Sequence, residues 1–168
     1  MISKSVEETI QIAKSFLDKI LKNNKEQKGA LIVALSGDLG AGKTAFTQAI
    51  GKHLGIKSKI TSPTFVIIKK YTLPNPSLRR EGGILLPLRR GSAQGARGSK
   101  HKFLFHLDAY RLKNEKELLH LGWEEIISNK DHLVFIEWPE NVSKIIPKDA
   151  KFIYISHHKN GHRKLELK

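Results

Sequence analysis

An eight-residue stretch from Gly37 to Thr44 (GDLGAGKT) has the residue types and spacing of a phosphate-binding loop, G-x-x-x-x-G-K-S/T. The glycines of such a loop let backbone N–H groups turn toward phosphate oxygens, because no side chain blocks their approach. The lysine, here Lys43, reaches the outer phosphates, and the hydroxyl that follows it, on Thr44, ligates Mg²⁺. The pattern therefore predicts a site for the phosphates of a nucleotide together with magnesium.

The residues on either side of this loop have the patterns of the two elements that hold a phosphate-binding loop in place. Residues 29–35 (GALIVAL) are apolar and are typical of a buried strand that runs into the loop. Residues 43–54 have apolar positions at helical spacing, and Gly55 is placed to end that helix. The positive end of the helix dipole would point at the same phosphates. This context makes a glycine-rich turn without a ligand the weaker interpretation.

Two acidic residues stand at the ends of two further apolar stretches. A strand predicted at 102–108 ends in Asp108, and a strand predicted at 132–136 is followed by Glu137. The end of the first strand is where a Walker B carboxylate holds Mg²⁺. Glu137 can polarise a water molecule or bind the metal indirectly. Either acid alone fits an ordinary strand end, but two of them beside a phosphate loop favour a catalytic site.

A third segment with possible chemistry is Ser62-Pro63-Thr64, which precedes a strand predicted at 66–71. Pro63 fixes its own φ and biases Ser62 toward an extended backbone. Two hydroxyls on such a stiffened turn can sense a terminal phosphate, as the switch segments of nucleotide-binding proteins do. An ordinary Ser-Pro turn is the alternative, and only the nearby phosphate loop favours the switch.

Composition limits the class of protein. The 168 residues suit one globular domain, and the lack of cysteine excludes disulfides and thiolate chemistry. No apolar run approaches the roughly 18 residues of a membrane span, and charges interrupt the N-terminus where a signal peptide is apolar. We therefore expect a cytoplasmic protein without a membrane partner. The net charge of +14 fits either a polyanionic neighbour, such as tRNA or an acidic protein surface, or a well-solvated lysine-rich surface.

Residues 74–100 differ from the rest of the chain, because they are rich in arginine, glycine and proline and have no helical or strand period. We predict a long, flexible basic insertion in an otherwise single domain. Besides an inert insertion, two functions remain open for it. One is an arginine-bearing lid over phosphates, and the other is an arm that contacts RNA.

The remaining elements are expected to supply packing surfaces. We predict an amphipathic helix over 3–24, short helices over 115–120 and 123–130 separated by Gly122, and strands over 150–156 and 163–167 joined at Asn160-Gly161. The last two strands should complete the sheet without a catalytic role. The eight histidines have no metal-ligand spacing, and His157-His158 is interpreted as a pair of polar side chains on the surface.

Five short motifs follow one another along the chain. They lie at 37–44 (GDLGAGKT), 62–65 (SPTF), 106–112 (HLDAYRL), 121–125 (LGWEE) and 136–138 (IEW). In this combination the chain resembles the TsaE (YjeE) family of bacterial ATPases, which acts in making N6-threonylcarbamoyladenosine beside the tRNA anticodon. The resemblance covers most of residues 5–148 except the 74–100 stretch. The loop motif alone is common to many nucleotide-binding proteins, whereas the ordered set is specific.

The resemblance implies a compact α/β fold of the P-loop NTPase type, with three layers, a mixed central sheet and one domain over residues 1–168. It also implies a weak intrinsic ATPase, with ATP and Mg²⁺ as cofactors, that works with TsaD-like and TsaB-like proteins. In this family TsaD transfers the threonylcarbamoyl group and TsaB is its paralogous partner. TsaE resets their complex by binding and hydrolysing ATP, so tRNA is an indirect partner.

Carried over residue by residue, the resemblance implies catalytic roles for Lys43, Asp108 and Glu137, and Mg²⁺ ligation by Thr44, Asp108 and Glu137. The nucleotide would be bound by Asp38, Leu39, Gly40, Ala41, Gly42, Lys43, Thr44, Ala45, Ser62, Thr64 and Trp138. Ser62 and Thr64 would be the switch hydroxyls, and Trp138 would buttress Glu137 or shape a partner surface. Ala45 is a departure, because many members have a second threonine there that contacts the α-phosphate.

Two other functions remain open. A small-molecule kinase with an arginine-rich lid would need a pocket for a phosphate acceptor, and no motif marks one. A basic RNA-binding module with a vestigial nucleotide loop would bind tRNA regardless of nucleotide, with steep salt dependence. A GTPase is disfavoured, because residues 129–132 (NKDH) do not have the order N-K-x-D.

Overall fold

The computed structural model describes residues 1–23, 28–74, 78–81, 84–87 and 101–167. In chain order its elements are β1 (Ile2–Ser3), α1 (Val6–Asn23), β2 (Leu31–Gly37), α2 (Lys43–His53), β3 (Ile68–Thr72), β4 (Leu78–Glu81), β5 (Ile84–Pro87), β6 (Phe103–Asp108), α3 (Glu115–His120), α4 (Trp123–Ser128), β7 (His132–Glu137), β8 (Lys151–His157) and β9 (Arg163–Leu167). Short 3₁₀ helices at Pro139–Ile145 and Lys159–Gly161 follow β7 and β8 respectively.

Seven of these strands form one mixed sheet in the order β1-β9-β8-β2-β7-β6-β3. The four central strands, β8, β2, β7 and β6, are parallel to one another, whereas β3 and β9 run antiparallel to β6 and β8. The carboxyl ends of the parallel strands therefore meet at one edge of the sheet, which is where open α/β sheets bind ligands.

Helices cover both faces of the sheet and make three layers. Alternate residues of β2 point to opposite faces, as the pleat of a strand requires. Val33 and Leu35 pack with α1 and α2, while Ile32 and Ala34 pack with α3, α4 and the 3₁₀ helix at Pro139–Ile145. The prediction of a three-layer α/β fold with a mixed sheet is confirmed.

Several element boundaries differ from the sequence-based predictions, and two of the differences have a clear local reason. The first helix begins at Val6, because the Ser5 hydroxyl accepts a hydrogen bond from the Glu8 N–H (3.2 Å) and caps the helix there. The strand predicted at 66–71 begins at Ile68. The N–H groups of Val66 and Ile67 both donate to the Pro63 carbonyl, so these two residues belong to a turn. The strand predicted at 29–35 instead covers Leu31–Gly37.

The sequence did not predict the strand at Ile2–Ser3, the 3₁₀ helix at Pro139–Ile145 or the pairing of β4 with β5. Of the 74–100 stretch beyond Pro74, the structure describes only the backbone of β4 and β5, which pair antiparallel. The other positions of that stretch lie outside the described residues. The predictions of a flexible insertion, a lid or an RNA-contacting arm therefore stay predictions.

Within the described residues, no helix combines the length and the apolar character needed to cross a membrane.

Gly37, the last residue of β2, has φ 125° and lies close to the backbone of β8. A Cβ atom at this position would be 1.9 Å from the carbonyl oxygen of Ile155. We expect Gly37→Ala to lower the free energy of unfolding by about 3 kcal/mol or more, because strain and a backbone clash add together. Urea unfolding followed by circular dichroism measures this change.

Gly161→Ala is the matched control for this variant. Gly161 also has positive φ (72°), but a Cβ atom added there would have no neighbour within 4 Å. The control should therefore cost only the backbone strain, about 1 kcal/mol. Equal losses for the two variants would mean that the close approach of β8 does not constrain Gly37.

Candidate nucleotide-binding site

The loop between β2 and α2 has the backbone that its glycines permit. Gly37, Gly40 and Gly42 have φ values of 125°, 75° and 108°, which residues with a Cβ atom rarely adopt. Inside the loop the Ala41 N–H donates to the Asp38 carbonyl (3.2 Å). Gly42 is the residue before the first turn of α2, so the free N–H groups of that turn lie at the loop. The predicted strand–loop–helix arrangement is confirmed.

Lys43 is only 4% exposed, and its ammonium group lies inside the loop. Its Nζ donates to the carbonyl oxygens of Gly37 (2.7 Å) and Asp38 (2.9 Å). It also lies 3.9 Å from the centre of the Trp138 ring, at cation–π distance. Burial lowers the pKa of Lys43, although nearby carboxylates, Glu137 first among them, oppose the change.

Thr44, Glu137 and His106 form a chain of hydrogen bonds below the loop. The Thr44 hydroxyl donates to Oε1 of Glu137 (2.8 Å), and Nε2 of His106 lies 2.7 Å from the same oxygen. Glu137 is 3% exposed and His106 is fully buried. The phosphate loop is therefore linked directly to the acid at the end of β7, the central strand beside β2.

Asp108 lies one strand further from the loop and binds the segment that contains Ser62 and Thr64. The Thr64 hydroxyl donates to Oδ2 of Asp108, and the Ser62 hydroxyl lies 3.5 Å from the same oxygen. The other oxygen, Oδ1, accepts the N–H of Tyr110 (2.9 Å). Asp108 and Glu137 are register partners at the ends of β6 and β7, so the structure brings both predicted acids together.

Trp138 follows Glu137 with a left-handed backbone (φ 57°, ψ 49°), which is rare for a bulky residue and costs about 1 to 3 kcal/mol. Its N–H donates to the Leu35 carbonyl (3.1 Å). Its ring packs on the Lys43 ammonium and lies 5.1 Å from the Tyr110 ring, centre to centre. Trp138 therefore covers the lysine of the phosphate loop and links it to the segment after β6.

A sequence profile described as "Threonylcarbamoyl adenosine biosynthesis protein TsaE" matches residues 3–79 and 95–165. The chain belongs to the TsaE family. The residues between the two matched parts, 80–94, fall within the stretch that the sequence sets apart from the family pattern.

Individual relatives agree with this assignment. The tRNA threonylcarbamoyladenosine biosynthesis protein TsaE of Rickettsia bellii is 34% identical over 147 residues, which cover 87% of this chain and 78% of that protein. The protein of the same name from Haemophilus influenzae is 27% identical over 158 residues, covering 94% and 81% of the two chains. Among solved structures, the crystal structure of Bacillus subtilus YdiB aligns with a TM-score of 0.63 at 25% identity, over 99% of this chain and 82% of that one.

The TsaE site has donors that fit Mg²⁺ bound together with a nucleotide. The described residues contain no group of three or more His, Asp and Glu side chains that could hold a metal alone. Magnesium usually keeps several water molecules and takes one or two protein oxygens beside substrate phosphates. The Thr44 hydroxyl and the carboxylate of Glu137, in mutual contact beside the loop, match that kind of site.

Three residues at this TsaE site were not predicted. His106 lies in the motif at 106–112, but no role was predicted for it. Alternate residues of a strand share a face, so its position two residues before Asp108 is the signal that could have identified it. Arg163 Nε donates to the Ala41 carbonyl (3.1 Å), and His157 Nε2 lies 3.2 Å from the Leu39 carbonyl. The C-terminal hairpin pairs within the sheet as predicted, and through His157 and Arg163 it also contacts carbonyl groups of the loop.

Proposed function

We propose that this TsaE family protein binds ATP with Mg²⁺ and hydrolyses it slowly on its own. We further propose that it supports formation of N6-threonylcarbamoyladenosine in tRNA by resetting a TsaD–TsaB complex. The hydrogen bond between Thr44 and Glu137 is the observation that carries the proposal. It joins the hydroxyl expected on Mg²⁺ to a buried acid, beside a lysine that lies in the loop.

Lys43 binds the terminal phosphates in this mechanism. Its ammonium group is held by two neutral carbonyl groups, those of Gly37 and Asp38. Charged phosphate oxygens are stronger acceptors than neutral carbonyls, so the ammonium exchanges these partners for phosphate when the nucleotide enters. The backbone N–H groups at the start of α2 bind the same oxygens, and the helix dipole adds to the attraction.

Thr44 and Glu137 hold the metal in this mechanism. A Mg²⁺ ion held there would supply positive charge against the phosphates of the nucleotide, which favours their cleavage. The proton of the Thr44 hydroxyl points to Glu137, which leaves the lone pairs of that oxygen for a metal. Glu137 is therefore the better candidate for the metal-linked acid, and the expected direct role of Asp108 becomes an indirect one.

Asp108 anchors the switch in this proposal. It accepts the hydroxyl proton of Thr64 and lies near the Ser62 hydroxyl, so both predicted switch hydroxyls are tied to the sheet. Reorientation of Thr64 toward a γ-phosphate would exchange one hydrogen bond for another. A segment that must first be released in this way is consistent with slow hydrolysis by the isolated protein.

Exposed apolar side chains on the site's own segments support dependence on a partner. Leu39 of the loop is 70% exposed, and Phe65 beside the switch hydroxyls is 85% exposed and stacks on the Arg111 guanidinium (4.4 Å to the ring centre). Apolar groups at the rim of a site are typical of protein interaction surfaces. A partner that covers them would also exclude water from the phosphates.

Turnover measured with and without purified TsaD and TsaB tests the proposed function. We expect slow release of phosphate by the isolated protein and at least about a tenfold increase with both partners, because the partners complete the site. In the same reaction, multiple rounds of tRNA modification should require this protein. Unchanged hydrolysis together with unchanged tRNA modification would refute the proposal. Phosphate transfer to an added metabolite would instead favour a kinase, and tRNA binding that ignores nucleotide would favour the RNA-binding module.

A further inference from the structure

His106 is a polar residue in the middle of β6, and none of its surface is exposed. Its Nε2 lies 2.7 Å from Oε1 of Glu137. Among the described residues, its other ring nitrogen, Nδ1, is the one buried side-chain nitrogen or oxygen without a hydrogen-bond partner. An unpaired polar atom in a core costs stability that an apolar side chain would not, so its presence needs an explanation.

The contacts of the ring define which nitrogen carries the proton. An ionised carboxylate only accepts hydrogen bonds, so Nε2 must donate to Glu137. Nδ1, on the other side of the ring, has no hydrogen-bond partner among the described residues. The ring therefore presents an N–H at Nε2 to the acid of the site.

Glu137 is held by two donors on the same oxygen. Oε1 accepts from His106 on the side of the sheet and from Thr44 on the side of the loop. Within the described part of the chain, no hydrogen bond is made to Oε2 of Glu137. The two donors thus fix the carboxylate and leave one of its oxygens for another ligand.

We infer that His106 is a positioning residue for Glu137: its Nε2–H fixes the carboxylate against Thr44 and leaves Oε2 free toward the metal that the site would hold. That Oε2 of Glu137 serves a metal rests on the proposed function. The hydrogen bond from Nε2 of His106 to Glu137 does not depend on it. Partners that orient the groups around a metal typically change metal affinity or activity by about 10- to 100-fold when they are replaced.

Three substitutions separate positioning from packing. In His106→Gln the amide nitrogen takes the place of Nε2, in His106→Asn it reaches only the place of Nδ1, and His106→Leu removes both. Calorimetry gives the ATP affinity with Mg²⁺ and in EDTA, and the ratio of the two is the gain that Mg²⁺ provides. We expect this gain to fall at least about tenfold in the Asn and Leu variants. The Gln variant should stay within about threefold of wild type. Affinity in EDTA should change little in all three variants.

A purely structural role predicts a different pattern. The three variants would then differ in melting temperature but show the same gain in ATP affinity from Mg²⁺, and this result would overturn the inference. A Gln variant that behaves like the Leu variant would also contradict it, because the donor at Nε2 would not matter. These readouts do not depend on hydrolysis, so an absence of turnover in wild type would count against the proposed function alone.

The hydrogen on Nε2 can be measured in the wild-type protein, which tests the donor itself even if the variants do not fold. Long-range ¹H–¹⁵N spectra of protein labelled in the imidazole rings distinguish a protonated Nε2 from a bare one. We expect His106 to show a hydrogen on Nε2, because this nitrogen faces the Glu137 carboxylate. A bare Nε2 would mean that the ring cannot donate to Glu137, and the inference would fail.

Discussion

Replacing Lys43 with alanine is expected to lower ATP affinity at least 100-fold, which is the largest effect on binding that we predict. Lys43 is the buried cation of the loop, and it stands within hydrogen-bond distance of two loop carbonyls where phosphate oxygens would enter. Removing one partner of a desolvated charge pair costs about 2 to 5 kcal/mol, and 100-fold in affinity corresponds to about 2.7 kcal/mol. Titration calorimetry with Mg²⁺ and ATP measures the change.

The control for Lys43→Ala is Lys52→Ala, which changes an exposed lysine on the same helix α2. ATP affinity of this control should remain within about twofold of wild type. Because burial lowers the pKa of Lys43, the ammonium group is held in an unfavourable environment and its removal should not unfold the protein. Retention of wild-type affinity by a folded Lys43→Ala variant would show that the loop does not bind the phosphates.

Glu137→Gln is expected to reduce partner-stimulated hydrolysis about 100- to 1000-fold, which is the largest effect on turnover that we predict. The substitution keeps the shape of the side chain and an oxygen that can accept from Thr44 and His106, but it removes the negative charge. A preorganised group that acts on developing charge is typically worth a factor of this size. Steady-state phosphate release with both partners measures it.

Substitutions of two other carboxylates serve as a control and a comparison for Glu137→Gln. Glu140→Gln is the matched control, because Glu140 is exposed and bonds to Ser36 rather than to the loop hydroxyl. Its turnover should remain within about threefold of wild type. Asp108→Asn should slow hydrolysis through the switch while keeping most of the Mg²⁺-dependent ATP affinity. If Asp108→Asn removes that affinity and Glu137→Gln does not, the metal-linked acid is Asp108.

Much of the site could be predicted because its parts are local in sequence. The eight residues from Gly37 to Thr44 contain the turn, the cation and the hydroxyl of one binding loop, and no distant residue is needed to recognise them. The meeting of Asp108 with Glu137 was also foreseeable. Two parallel strands that end in acids place those acids at the same edge of the sheet, whichever order the other strands take.

Other parts of the site depend on register and strand order, which local patterns do not encode. His106 contacts Glu137 because β6 and β7 are aligned with Asp108 opposite Glu137, and a shift of one residue would turn His106 to the other face. Arg163 and His157 reach the loop because β8 lies beside β2, although more than 100 residues separate them from that loop.

The sequence by itself marked the glycine-rich loop at 37–44, the two acids at the strand ends and the hydroxyls of Ser62 and Thr64, and through five ordered motifs it indicated membership of the TsaE family. Each of these is a short pattern whose chemistry follows from adjacent residues. Only the tertiary structure decided that Thr44 and His106 share one oxygen of Glu137, and that Asp108 binds Thr64. Those pairings join residues from different elements, so they exist only when packing and strand register bring the elements together.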